Sequence, residues 1–192
     1  MKTIKLLAIA CISAITFASC SDDENPTPTN EEEVITTMTV TLSPASGSDV
    51  VLKTQDLDGD GPNAPVVTVS GNLLANTTYS GTILLENETE DPAENITTEV
   101  AEEADEHQFF YSATGITPTF TYTGANDSNG NPVGITFSLA TGDAGSGTLT
   151  FTLRHEPNKT ASGVSGGDIT NAGGETDIEA SFDVTVANPA VL

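Results

Sequence analysis

Asp177-Ile178-Glu179-Ala180-Ser181-Phe182-Asp183-Val184-Thr185-Val186 alternates apolar and polar residues without a break. Ile178, Ala180, Phe182, Val184 and Val186 share one parity, while Asp177, Glu179, Ser181 and Asp183 share the other. Successive side chains of an extended chain point to opposite faces, so this stretch reads as a strand with one buried and one wetted side. A helix would scatter the same residues around its girth.

The pattern continues outward in the N-terminal direction. Leu149, Phe151 and Leu153 form one series, and Val133, Ile135, Phe137 and Leu139 another. Phe120 and Tyr122 alternate, as do Phe109 and Tyr111. Tyr79, Gly81, Ile83 and Leu85 alternate against Ser80, Thr82 and Glu86. Val67 and Val69, Val50 and Leu52, and the run Val34–Leu42 complete the set, with threonines on the opposite parity. Between these runs lie turn sequences such as Ser43-Pro44-Ala45-Ser46-Gly47, and a hairpin loop in which Asn129-Gly130 suits positive φ. Asp91-Pro92-Ala93-Glu94 offers an N-cap acid, a first-position proline and a nearby glutamate, and Ile96, Val100 and Ala104 follow at helical intervals. These features predict a helix over 92–104. The fold class is therefore mainly β: a single antiparallel β-sandwich, immunoglobulin-like, of about eight or nine short strands with one short helix.

The N-terminus carries a different signal. Lys2 and Lys5 precede the apolar run Leu6–Ile12, which continues through Ile15 and Phe17 and stops at Ala18-Ser19-Cys20. A basic start, a short apolar core and small residues at the break describe a secretory signal peptide. A cysteine at the break resembles a bacterial lipobox, implying cleavage before Cys20 and acylation of that residue. Each buried methylene contributes about 0.8 kcal/mol, so two acyl chains hold a protein stably on a membrane. The expected organisation is residues 1–19 as signal peptide, 20–33 as lipidated cysteine and acidic, proline-containing linker, 34–188 as the sandwich domain and 189–192 as a tail.

Composition narrows the partners. The chain of 192 residues has 28 acidic and 5 basic residues, a formal charge of −23, and cleavage would remove two of the basic ones. Phosphate backbones repel such a body, which excludes nucleic acid. Of the two cysteines, Cys11 lies in the signal peptide and Cys20 is the acylation site, leaving no disulfide and no thiol chemistry.

Asp56-Leu57-Asp58-Gly59-Asp60-Gly61-Pro62, Asp105-Glu106-His107-Gln108, Leu153-Arg154-His155-Glu156-Pro157-Asn158-Lys159 and Gly167-Asp168-Ile169-Thr170-Asn171-Ala172-Gly173-Gly174 resemble a Bacteroidota-type outer-membrane lipoprotein family. Its members are often labelled type 1 periplasmic binding fold superfamily proteins. That label names a two-lobed α/β architecture, which needs many more helices than this chain offers, so the strand pattern decides the fold. The resemblance implies lipid anchoring in the outer membrane and work beside a TonB-dependent receptor. Ser21-Asp22-Asp23-Glu24 resembles the acidic signal for display on the outer face, the periplasmic face being the alternative.

Three constellations bear chemistry. Asp56, Asp58 and Asp60 followed by Gly61 match the first half of a calcium loop, although position twelve is Val67 where a bidentate glutamate is expected. His107 and His155 are the only histidines, each on the parity of an apolar strand face and each beside acids. Imidazole with carboxylate suits zinc, and paired imidazoles can ligate haem iron. Gly163-Val164-Ser165-Gly166-Gly167 has the nucleophile-elbow spacing but lacks the flanking strand and helix, and both histidines precede it, against the hydrolase order. No organic cofactor motif is present. The expectation is a non-enzymatic, lipid-anchored binding module auxiliary to a TonB-dependent receptor in nutrient uptake. The alternatives are direct metal (zinc, calcium) or haem binding, and a structural or adhesive surface protein.

Overall fold

A computed structural model of the chain describes residues 33–59 and 61–189. The signal peptide, Cys20 and most of the linker lie outside the described residues, as does Asp60. The sandwich expected from the alternation is present, as two packed sheets.

The strands in chain order are β1 (Thr37–Pro44), β2 (Val50–Gln55), β3 (Val66–Val69), β4 (Leu73–Leu74), β5 (Thr78–Asn87), β6 (Glu94–Asn95), β7 (His107–Thr114), β8 (Thr119–Thr123), β9 (Thr136–Ala140), β10 (Gly145–His155) and β11 (Glu175–Ala187). The larger sheet runs β3-β2-β1-β5-β9-β8, with β6 paired to β5, and the smaller runs β4-β11-β10-β7. This seven-and-four division exceeds the four-and-three of an immunoglobulin constant domain. The strands beyond the expected eight or nine are β4 and β6, each two residues long and too short to show periodicity. β4 also makes a parallel pairing, Leu73 with Val186, within an otherwise antiparallel sandwich.

The predicted inward parities are the buried ones in the longer strands, whereas in the edge strand β3 Val67 is 47% exposed and Val69 only half-buried. Met38, Val40 and Leu42 of β1 and Tyr79, Ile83 and Leu85 of β5 face Phe151, Leu153 and Phe182 of the smaller sheet. Phe137 meets Phe151 across the interface with ring centroids 5.7 Å apart. Each such side chain contributes about 1.5–3 kcal/mol on burial. Gly81 is the exception that fits the rule: it occupies an inward position where a Cβ would lie inside the Phe137 ring. Gly81→Ala should therefore cost about 1–3 kcal/mol by overpacking, read as a lower midpoint in urea unfolding.

Two local expectations need correction. The helix α1 spans Ile96–Glu102, not 92–104, and its cap is Asn95, whose side chain accepts from Thr98 N. Pairing of Glu94 and Asn95 with β5 holds residues 94–95 extended and displaces the start past Asp91-Pro92. At the N-terminus, Val34 is exposed and β1 begins at Thr37. Thr36 instead anchors the entering chain, its amide donating to Glu86 O and its hydroxyl accepting from Glu88 N.

The segment between β10 and β11 folds over the outer face of the smaller sheet. Val164 and Ala172 pack there on Phe110, and Gln108 Nε2 donates to Val164 O at 2.8 Å. Both faces at the start of β7 are buried for this reason. Among the described residues, no helix is long and apolar enough to cross a membrane.

Candidate metal centre

His107 opens β7 and His155 closes β10, and the antiparallel register sets them directly opposite one another. Their parity follows Phe109 and Leu153, so both rings point into the end of the sandwich core. The ring centroids are 4.6 Å apart and the planes are tilted by 31°.

Two carboxylates complete the group. Glu33, expected as the last residue of a solvated linker, turns inward just before β1, and Asp177 comes from β11. The ladder between β10 and β11 shifts register at Leu153/Arg154: Leu153 pairs with Ile178, Arg154 with Thr176, and Asp177 is the extra residue. Such a bulge re-aims a side chain. Asp177, outward by simple alternation, is thereby buried with its side chain only 2% exposed.

The distances are those of a small polar cluster. Glu33 Oε1 lies 2.9 Å from His107 Nε2, and Asp177 Oδ2 lies 3.7 Å from the same atom. His155 Nδ1 faces Asp177 Oδ1 at 3.5 Å and Glu33 Oε2 at 3.8 Å. The four side chains are 0–6% exposed. Ligand atoms around a tetrahedral zinc with bonds of about 2.0–2.1 Å stand roughly 3.4 Å apart, in the middle of this spread.

The tautomer sharpens the picture. His107 Nδ1 lies 3.2 Å from the carbonyl oxygen of Glu103, which only accepts, so Nδ1 carries the hydrogen. The Nε2 of a neutral ring then aims a lone pair at the Glu33 carboxylate. Neither His107 Nε2 nor Glu33 Oε2 has a hydrogen-bond partner. A lone pair against a carboxylate is repulsive unless a second ring proton or a metal cation sits between them. A ring whose far nitrogen donates to a backbone carbonyl is also the usual arrangement of a metal-bound histidine.

The local field is negative. The described basic side chains are engaged at other sites: Lys53 with Glu88, Lys159 with Asp127, and Arg154 with Thr176. Desolvation, reinforced by the charges of Glu33 and Glu103, holds the Glu99 carboxyl above its usual range.

The other sequence candidates stay apart from this centre. Asp58 spends its carboxylate on Asn63, whose side chain donates at 2.6 Å, and Asn63 chiefly holds the Asp58 carboxyl below its usual range. Asp56 Oδ1 accepts from Asp58 N at 3.3 Å. Ser165 is exposed in a one-turn 3-10 helix between Gly163 and Gly167, both left-handed. No family model, curated protein or solved structure matches this chain.

Proposed function

We propose that this protein is a lipid-anchored binding module of a bacterial envelope whose ligand is a divalent transition-metal ion, zinc foremost. Glu33, His107, His155 and Asp177 are its ligands. The observation carrying this reading is the buried Nε2 of His107, which makes no hydrogen bond although it lies 2.9 Å from Glu33 Oε1, grouped with three further ligand-type side chains that are 2–6% exposed. With neutral rings the four groups hold two negative charges, which one divalent cation cancels. Burying them uncompensated would cost several kcal/mol per charge.

Two nitrogens and two carboxylates suit zinc and its neighbours better than calcium, which takes six to eight oxygens. Haem fits less well. Its axial imidazoles stand on opposite faces of a porphyrin, and these two rings touch with no slot between them. Four protein ligands leave no open coordination position, which favours holding a metal over activating a substrate on it. Lipidation at Cys20 would keep such a module at the outer membrane, where a TonB-dependent receptor is the proposed partner in uptake.

The test is metal content and titration of the native chain. Metal-free protein should take up one tightly held zinc, and His107→Ala with His155→Ala should lose it. A native chain that binds neither zinc, manganese, iron nor nickel overturns the reading and leaves an ion-pair network in its place.

A further inference from the structure

Among the described residues, the His155 side of the buried centre leads to more exposed groups that form a donor set of their own. His155 is the most exposed of the four ligands, at 6% against 0%, 3% and 2% for His107, Glu33 and Asp177. Its Nδ1 faces the buried carboxylates. Its Nε2 faces the other way, 3.8 Å from Glu106 Oε2, a side chain 49% exposed. Exposed Glu156 joins them: Glu106, His155 and Glu156 offer ligand atoms that all lie within 4.8 Å of one another. A backbone hydrogen bond from Glu156 N to Glu106 O, 2.6 Å long, staples the two glutamates side by side at the strand ends. Gly174 is packed against the same corner, where a Cβ would run into the carbonyl oxygen of His155.

We infer that Glu106, Glu156 and Nε2 of His155 form a second, weaker divalent-cation site through which the buried centre is filled. This rests on the proposed function and deepens it. An ion bound by four side chains that are almost wholly buried needs an entry path. Two paired carboxylates at the mouth concentrate cations there, and such focusing raises association rates by about 10- to 1,000-fold. The imidazole between the two sites presents one nitrogen to each; its single lone pair lies on Nε2 while the ion is outside and on Nδ1 once it is inside, so the ring proton leaves Nδ1 and solvent returns one to Nε2 as the ion passes inward. The outer set has a single nitrogen and two wetted carboxylates, so it holds the ion loosely enough to release it inward.

The test is the rate of zinc uptake by the metal-free full-length protein, followed by stopped flow against a chromophoric chelator. Glu106→Gln with Glu156→Gln should slow uptake about tenfold or more, while the final affinity of the tight site shifts no more than about threefold. Glu90→Gln with Glu94→Gln removes the same charge elsewhere and should leave the rate near that of the native chain. An unchanged rate in the first variant, or equal slowing in both, overturns the port. A native chain that takes up no metal overturns the buried centre itself, a different and distinguishable result.

Discussion

Zinc added to the metal-free protein should raise its Tm by about 5–10 °C, and the gain should vanish in the His107→Ala and His155→Ala variants. A ligand that binds only the folded state stabilises it by about 2.7 kcal/mol at a hundredfold excess over Kd. For a domain of this size each kcal/mol moves Tm by about 2–4 °C. Differential scanning calorimetry with and without zinc reads the effect directly. Glu33→Gln should retain part of the shift, because it keeps an oxygen donor and loses the charge. The same ion would tie the chain ahead of β1 to the smaller sheet, since Glu33 enters from the N-terminal side and the other three ligands lie on β7, β10 and β11. Backbone amides of residues 34–36 should therefore exchange more slowly with zinc bound, as read by hydrogen-exchange mass spectrometry. A thermal shift without that protection would mean that Glu33 is not a ligand.

The histidine pair was within reach of sequence reasoning, and the carboxylates were not. Alternation put His107 on the parity of Phe109 and His155 on that of Leu153. Once β7 pairs with β10 so that Phe109 opposes Leu153, the two rings must meet. The missing step was strand order, which a lone chain does not reveal because periodicity is local. Asp177 misled for the opposite reason. Period two holds from Ile178 to Val186, and a single inserted residue reverses it at Asp177. Glu33 sat in an acidic, proline-containing run with no apolar neighbour before Val34, so nothing local distinguished a ligand from a solvated linker. The inner face of the sandwich was legible because its inward positions repeat one signal along each long strand; the two carboxylates were not, because Asp177 sits at a bulge and Glu33 ahead of the first strand.

Lys159 sets up the second large effect. Its ammonium donates to Ala104 O at 2.6 Å and lies 3.3 Å from Asp127 Oδ2, with side chains 4% and 1% exposed. Asp127 also accepts from Asn129 N and Asn131 N, which close the loop between β8 and β9. One cation thus joins the end of α1, that loop and the segment leading to β11. Removing one partner of a buried pair strands the other charge, at a cost of about 3–5 kcal/mol. Lys159→Met and Asp127→Asn should each lower Tm by about 10 °C, and the double variant should recover much of the loss. Strict additivity of the two would show that the groups are not coupled. Acid should discriminate further. Burial raises the Asp127 carboxyl, but hydrogen bonds from Asn131, Lys159 and Asn129 outweigh it and hold the group below its usual range. A folded-state value below the unfolded one contributes stability that is complete above about pH 4 and drains away as pH falls through the folded value. The native chain should lose stability more steeply below pH 4 than Asp127→Asn, which has no proton to take up at that position.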